Sequence, residues 1–413
     1  MTMSYRILQF VPEELPTHRP DVVTLFGKYL PRHGVVCDIV GTNSGKDMGE
    51  QGFNSATVST WHDSRLKREL SYMWLALCRM AGARRASTDL IQVRDMVTVG
   101  LLGLVIAKLK GIPYAYWVSY PMSEGRIGRA RRELARRRSP YYTFVLCKGL
   151  LERALLYKVI LRCATHVFVQ SDAMRDFMVR QGISAARQTA VPMGVDTELV
   201  TRNPVTPRRL PGWENVPVLA YLGSLDRERE LVRLLDALIV VRRTVPDARL
   251  MLVGAAGTRS DEEELHAHIR ANKLEDAVHI TGWLPSTAAW EYMAGADLAV
   301  SFVPRGPLYD VSSPTKLLEY LALGLPSIGN DIPDQAHVLQ SSRAGWLVDG
   351  TVEGMAQAAL DILRDPAAAR RRAAAGPEWI GRERSYAVLA ERLAATYRSL
   401  ASRTVAALRG EAK

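Results

Sequence analysis

Short β-branched runs alternate with helical stretches along this chain, and the alternation occurs twice. In the first half RILQFV (6–11), VVCDIV (35–40), DLIQV (89–93), YAYWVS (114–119), HVFVQS (166–171) and TAVPM (189–193) read as strands. Apolar residues at helical spacing fill 21–32, 66–80 and 97–109. The rhythm breaks at 203–216, where Pro204, Pro207, Pro211 and Gly212 interrupt any periodicity and mark a linker. It then restarts with strands at 217–223, 248–254, 278–281, 296–302, 325–329 and 345–349. Helices are expected at 231–243, 262–271, 314–323 and through 386–408. Strands that alternate with helices pair in parallel and carry helices on both faces. The expected fold is therefore α/β: two Rossmann-like parallel-sheet domains facing a cleft. The divisions are 1–202, the linker 203–216, 217–380, and a C-terminal helix 381–413 placed to pack back on the first domain. Ligands of open α/β sheets sit outside the carboxyl ends of the strands. A cleft faced by two such sets of strand ends suits an enzyme that joins two substrates.

The 413 residues agree with two or three domains. A hydrophobic share of 47% against 23% charged excludes a disordered chain. The net charge of +11 favours anionic partners: nucleic acid, phosphorylated substrates or an acidic membrane surface. Cys37, Cys78, Cys147 and Cys163 each lie in an apolar stretch and no two form a CxxC, so buried thiols in a reducing compartment are expected. The apolar part of MTMSYRILQFV is too short for a signal peptide. The most apolar long stretch, 97–107, ends at Lys108, well short of the roughly 20 residues of a spanning helix. The expected location is cytoplasmic, with peripheral association on the inner face of the cytoplasmic membrane.

Several familiar motifs fail. Gly41 to Asp47 has three residues between its glycines and Asp after Lys46, so it is not a P-loop. GxGxxG is absent from both halves, which disfavours a dinucleotide. Neither an Asp-x-Asp pair nor a GxSxG elbow occurs, and His266 and His268, at i and i+2, do not face one another on a helix. The expectation is no metal and no cofactor.

The informative segment is 310–330, DVSSPTKLLEYLALGLPSIGN. Ser313 suits a helix N-cap and Pro314 the first helical position. The N–H groups of the first turn, including those of Thr315 and Lys316, have no intrahelical acceptor, and with the helix dipole they favour phosphate. Lys316 adds a full positive charge. Glu319, one turn on, can accept two hydrogen bonds from a vicinal diol such as a ribose. Taken alone, the segment is equally a well-capped surface helix with a solvated Glu.

Its surroundings decide otherwise. Ser313 to Tyr320, then Ala322-Leu-Gly-Leu-Pro-Ser-Ile328, resembles the donor-site helix of glycosyltransferase family 4, the retaining nucleotide-sugar enzymes of GT-B architecture. Val191 to Asp196, Tyr221 to Leu225 with Arg229, Leu250 to Gly254, and Thr281 to Leu284 with Tyr292 and Ala296-Asp297 match further family stretches in order. The resemblance is close over 165–350 and a matter of rhythm alone over the first 160 residues. It implies an acceptor-binding domain at 1–202 and a nucleotide-sugar donor domain at 217–380.

The resemblance also assigns roles. Arg229 stands where a Lys usually grips the donor diphosphate. Ser224 replaces the usual Arg, with Arg227 as a substitute cation. Gly223 lets its loop approach the donor, and Gly254 ends the next strand. Ser313, Thr315 and Lys316 receive the phosphates, and Glu319 holds the ribose. The expected catalytic group is Arg229, Lys316 and Glu319; Arg229, Lys316 and the helix start at Pro314 stabilise the leaving diphosphate without metal. No general base is assigned, because the family is thought to pass the acceptor proton to the leaving phosphate.

Three departures stand out. Val311 occupies the place of the family's first Glu, so either Asp310 substitutes or the sugar is held differently. Glu13-Glu14-Leu15-Pro16 replaces a Gly-Gly loop. Ser119 takes the acceptor-side position of a His, able to hydrogen-bond but not to carry its charge.

Residues 126–138, RIGRARRELARRR, are strongly cationic, and apolar stretches with spaced Lys and Arg follow to 162. That pattern suits an interfacial helix on anionic lipid, and equally a solvated helix followed by a buried one. A glycan or polyprenyl-linked acceptor fits the first reading. Nucleic acid is not expected, since no HTH, zinc or RNP pattern appears. Two other functions remain open: a nucleotide-sugar epimerase or phosphorylase of the same fold, and a non-catalytic membrane- or glycan-binding scaffold. Glu319→Ala should weaken nucleoside diphosphate binding in a titration while the fold survives; unchanged binding would refute the role of Glu319.

Overall fold

The computed structural model describes residues 4–47, 49, 51–202 and 205–408. Asn203 and Pro204 of the expected linker, residues 1–3, and 409–413 of the expected C-terminal segment lie outside the described residues. The chain forms two compact units, one comprising the chain up to Met193 together with residues from Tyr386 onward, the other Gly194–Ser385.

The first unit holds seven strands: β1 Tyr5–Leu15, β2 Val35–Asn43, β3 Ser55–Val58, β4 Leu90–Arg94, β5 Tyr114–Val118, β6 His166–Val169 and β7 Gln188–Ala190. They lie in the order β3-β2-β1-β4-β5-β6-β7, every pair parallel. The second unit holds β8 Val218–Leu222, β9 Arg249–Val253, β10 Val278–Ile280, β11 Leu298–Ser301, β12 Ser327–Asn330 and β13 Trp346–Val348. Their order is β10-β9-β8-β11-β12-β13, again parallel throughout. Each sheet reverses its winding beside its first strand, between β1 and β4 and between β8 and β11. Those switch points open the crevices where such sheets bind ligands.

Strands buried on both faces read as continuous apolar runs. In β8, Leu219 and Tyr221 join the core on one face, while Val218 and Ala220 join the core on the other. The expected strands match the observed ones within a few residues. The short edge strand β3 was not anticipated; SATV carries a single β-branched pair and no alternation. β1 runs on to Leu15 through an irregularity between Phe10 and Glu14, so Glu13 and Glu14 end a strand rather than begin a loop. Of the cysteines, Cys37 is buried, but Cys78, Cys147 and Cys163 are exposed. The apolar stretches around Cys78 and Cys147 are helices with surface-facing sides, which corrects the expectation of buried thiols.

In the first unit the helical segment 20–33 and the helix Tyr386–Leu408 share one core with the sheet. Leu389, Leu393 and Tyr397 meet Leu25, Phe26 and Tyr29 there. Tyr397 stacks on Tyr5 with ring centroids 5.8 Å apart. Its hydroxyl donates to Gln92 Oε1 at 2.8 Å in a fully buried setting. Tyr397→Phe would leave that oxygen buried without its donor, at a cost of about 1–3 kcal/mol. Urea denaturation followed by circular dichroism should show the lower midpoint, with the folded-state spectrum unchanged.

Candidate functional site

The site in the second unit is built on two strand ends. After β8, Gly223 turns with φ 146°, and after β9, Gly254 turns with φ 152°. A Cβ on Gly254 would lie 1.9 Å from the carbonyl oxygen of Gly223, so only glycine allows the two turns to cross. Gly223 N–H donates to the Val253 carbonyl at 3.0 Å, and Leu225 N–H to that of Ala255 at 3.0 Å. Tyr221 donates its hydroxyl to the Ser224 carbonyl at 3.3 Å, and Tyr320 accepts from Leu222 N–H at 2.8 Å. The turn after β8 is thus held from both faces of the sheet.

Across the switch point, β11 leads into the helix Thr315–Ala322. Leu317, Leu318, Tyr320 and Leu321 are buried and fix its inner face. The helix begins one residue later than expected: Pro314 is the N-cap, with φ −71° and ψ 134°, and no side chain caps the first turn. Ser313 instead donates its hydroxyl to Asp334 Oδ2 at 2.7 Å. Asp334 is buried in the first turn of the helix Pro333–Ser342 and also accepts from Arg384 at 2.6 Å. A buried carboxylate needs such donors, and it draws Ser313 away from the helix. The first-turn N–H groups therefore have no side-chain acceptor among the described residues.

Lys316 leans over the ring of Tyr221, 4.8 Å from its centroid, and its Nζ donates to the phenol oxygen at 3.2 Å. Its Cε lies 3.3 Å from where a Gly223 Cβ would be. Arg229 closes the other side. Its Nε donates to Ser224 Oγ at 3.3 Å, and its guanidinium lies 5.7 Å from the Tyr309 ring centroid. Burial, then repulsion from Arg229, lowers the Lys316 pKa to about 7, against attraction from Glu319. Burial raises the Glu319 pKa to about 7, against a 3.4 Å hydrogen bond from Trp290 Nε1 and the charge of Lys316. The structure thus brings Gly223, Ser224, Gly254, Arg229, Thr315 and Lys316 to one switch point, with Glu319 one turn along. Two cations and a set of N–H groups meet there, groups of the kind that bind phosphate.

Other expected residues are engaged elsewhere. Asp310 accepts from Arg305 Nε at 2.8 Å and from Gly306 N–H at 3.2 Å, and Arg305 also reaches Asp331 at 2.9 Å. Val311 is buried. Arg227 pairs with Glu264 and lies 3.9 Å from Asp261, so its charge is taken up by the helix Arg259–Ala271. The sequence reading missed Tyr221, Trp290 and Tyr309 as partners of the charged groups, and Asp334 with Arg384. Only Tyr221 carried a signal, as a polar-tipped residue at the end of an apolar strand.

The first unit carries a second polar centre at its own strand ends. Ser119, after β5, donates its N–H to Asp95 Oδ1 at 2.8 Å and its hydroxyl to Asp95 Oδ2. Asp95 follows β4 in a left-handed conformation, φ 54°. The guanidinium of Arg94, fully buried, pairs with Asp21, with Glu13 at 3.4 Å and with Asp95 at 3.6 Å. Arg19 joins Asp21 at 3.1 Å and Glu13 at 3.4 Å. Against its burial, Arg94 and Arg19 hold Asp21 down to about 2, while burial pushes Glu13 and Asp95 up. Three carboxylates surround two guanidiniums, and one of them, Glu13, comes from the segment that stands in place of the Gly-Gly loop. Sequence reading saw only that loop's absence, because Asp21, Arg94 and Asp95 lie far apart in the chain.

Among the described residues, no group of three or more His, Cys, Asp or Glu side chains could hold a metal ion, and no helix is long and apolar enough to cross a membrane.

The Lys316 pKa gives a signed prediction. Folding lowers it from 10.5 to about 7, so the cost of the buried charge is complete below pH 7 and fades as pH rises toward the unfolded value. Lys316→Met should raise the melting temperature at pH 6 more than at pH 9.5, and weaken nucleoside diphosphate binding. Equal rises at the two pH values in thermal scans would refute the assignment.

Comparison with known proteins converges on one family. The family model described as a glycosyl transferase 4-like domain matches residues 17–194, and the model for glycosyl transferases group 1 matches 216–365. A GDP-mannose-dependent alpha-(1-6)-phosphatidylinositol monomannoside mannosyltransferase of Mycolicibacterium smegmatis is 29% identical over 220 residues, 51% of this chain and 56% of that protein. A glycogen synthase of Mycobacterium tuberculosis is 29% identical over 194 residues, 47% of this chain and 43% of that protein. The chain spans about half the length of the curated relatives it matches. Among solved structures, a sucrose-phosphate synthase from Thermosynechococcus elongatus superposes with TM-score 0.69 at 18% identity, covering 97% of this chain and 100% of that one. Anabaena Alr3699/HepE in complex with UDP and glucose does so with TM-score 0.71 at 16% identity, covering 96% and 100%. At these identities the likeness shows the fold, two parallel-sheet domains of GT-B architecture. With one glycosyl transferase model on each half, and both sheets wound as that architecture requires, the chain belongs to the GT-B glycosyltransferases related to family 4.

Proposed function

We propose that this chain transfers a sugar, with retention, from a nucleoside-diphosphate donor to a glycan or lipid-linked acceptor in bacterial polysaccharide or glycolipid assembly. In this reading the second unit takes the donor and the first the acceptor. The observation that carries it is the uncapped start of the helix Thr315–Ala322, whose Lys316 lies beside the Gly223 turn, with Arg229 bonded to Ser224 of that same turn. The diphosphate sits there, with the backbone of Ser313–Thr315 and Gly223 around it. Glu319 holds the ribose hydroxyls. As the glycosidic bond breaks, negative charge grows on the leaving diphosphate. Fixed N–H donors and two cations act on that growing charge rather than on the ground state, and so lower the barrier. The leaving phosphate takes the acceptor proton. Ser119, its hydrogen committed to Asp95, offers its oxygen to an acceptor hydroxyl. Asp310 is held by Arg305 and contributes to the shape of the donor loop.

Two relatives support the substrate class. The mycobacterial mannosyltransferase is named for a GDP-mannose donor and a phosphatidylinositol mannoside acceptor, and Alr3699/HepE was solved with UDP and glucose. The helices Met122–Arg136 and Pro140–Leu155 form a hairpin, with Arg126 paired to Glu152. Arg129, Arg131, Arg136 and Arg138 are exposed on it, beside exposed Tyr141, Phe144 and Leu151. We read residues 126–162 as resting on the anionic inner face of the cytoplasmic membrane.

A thermal-shift series with UDP, GDP, ADP, TDP and CMP should single out one nucleoside diphosphate. At about 100 times its dissociation constant that ligand stabilises by roughly 2.7 kcal/mol. Arg229→Ala should slow donor hydrolysis of the matching nucleotide sugar by about 100-fold or more, the typical effect of removing one transition-state donor. If none of the five shifts the transition, the reading fails.

A further inference from the structure

The helix Arg65–Gly82 has two apolar faces, and only one is buried. Tyr72, Ala76 and Met80, four residues apart, pack inward. Leu66, Leu70 and Trp74 repeat the same spacing roughly 120° around the helix, and they stand 65%, 61% and 68% exposed. Trp61, just ahead of the helix, is also exposed, with Arg68 stacked 5.2 Å from its ring centroid. Isolated exposed apolar residues need no explanation, but a row of Leu, Leu and Trp beside a second Trp marks an interaction surface.

The row continues onto its neighbours. The helix Val97–Lys110 packs against it and adds exposed Val105 and Leu109, the latter 82% exposed. The helix Pro140–Leu155 packs against that helix in turn, with exposed Phe144 and Leu151. The crossovers β3 to β4, β4 to β5 and β5 to β6 all step the same way along the sheet, so a right-handed connection puts these helices in one layer on one face. Arg65, Lys67 and Arg68 flank the row on its own helix, with Glu69 as the acidic neighbour there, and Lys108 and Lys110 flank it on the next. Arg65 pairs with Glu69 at 3.1 Å, and Arg68 lies 4.0 Å from Glu14.

We propose that the Trp61–Leu66–Leu70–Trp74 face inserts into the interfacial layer of an anionic bilayer, as a second lipid contact that adjoins the arginine-rich hairpin. Tryptophan and leucine on one side of a helix with Lys and Arg around them is the composition of an interfacial helix. Charge argues against a second copy of the chain as the occupant. A two-fold contact would set Arg65, Lys67 and Arg68 against their own duplicates, whereas anionic lipid neutralises them. The inference rests on the proposed function only in taking the same bilayer as partner. The two contacts differ in physics: the hairpin's contribution is screened by salt, while the apolar face keeps its own.

Co-sedimentation of the full chain with vesicles of POPC and POPG in a 70:30 ratio tests this, against vesicles of POPC alone, at 0.15 and 0.5 M NaCl. Two variants are compared, Leu70→Gln/Trp74→Gln and Arg131→Glu/Arg132→Glu/Arg136→Glu. The parent should bind the anionic vesicles and keep part of that binding at high salt. The Leu70/Trp74 variant should partition at least ten-fold less, with its nucleotide thermal shift unchanged. Parent-like binding by that variant overturns the inference; if the arginine variant then loses binding, the hairpin reading stands alone. Loss by the Leu70/Trp74 variant with parent-like binding by the arginine variant upholds the inference and removes the hairpin reading. No vesicle binding by the parent overturns both. Sedimentation velocity without lipid supplies the last outcome: a parent dimer that becomes a monomer in the Leu70/Trp74 variant means a second copy covers the face, and the inference falls.

Discussion

The second unit depends on one close approach, the crossing of the Gly223 and Gly254 turns. Both residues sit at φ values that side chains rarely adopt, and the Gly223 carbonyl occupies the space a Gly254 side chain would need. That crossing sets where β8 ends. Tyr221 then lies under Lys316, and Ser224 is within reach of Arg229. A methyl group at Gly254 would push the first turn away, and with it Ser224 and the Arg229 that bonds it away from Lys316. Backbone sterics, with the Tyr221 and Ser224 side-chain bonds to Lys316 and Arg229, keep these charges together.

Keeping them together works against folding. Lys316 and Arg229 repel each other, and Glu319 is too buried to hold its proton as loosely as a solvated carboxyl does. The first unit solves its charge problem the other way. Arg94 and Arg19 stand among Glu13, Asp21 and Asp95, so both cations are paired within that centre, which also holds Ser119 in a fixed hydrogen bond.

Asp334 ties the donor-side loop to the rest of its unit. It bonds Ser313, just ahead of the helix Thr315–Ala322, and Arg384, near the end of the unit. Arg384 in turn gives its carbonyl to Val195 N–H at 2.9 Å, where the chain has just entered this unit. The loop is therefore anchored through a buried ion pair to the two segments that begin and end the unit. Such pairs are costly to break from one side, which favours a helix start of fixed position.

What the sequence determined by itself was local and periodic. Runs such as VLAYL and RLMLV could only be strands buried on both faces, and their alternation with helices required parallel sheets. The helix Thr315–Ala322 and its Lys316 and Glu319 were legible because a helix start, a cation and a carboxylate lie within five residues. The tertiary structure decided which groups meet from afar. Ser313 looked like a cap until buried Asp334, twenty-one residues on, claimed its hydroxyl. Arg227 looked like a spare phosphate ligand until Asp261 and Glu264 took its charge. Arg94, Asp21 and Glu13 gave no sign of belonging together, because they come from separate elements that the sheet and its flanking helix make neighbours. Propensity and periodicity act over a turn or a strand, whereas desolvation pairs charges by distance in space, and that distance exists only once the chain has folded.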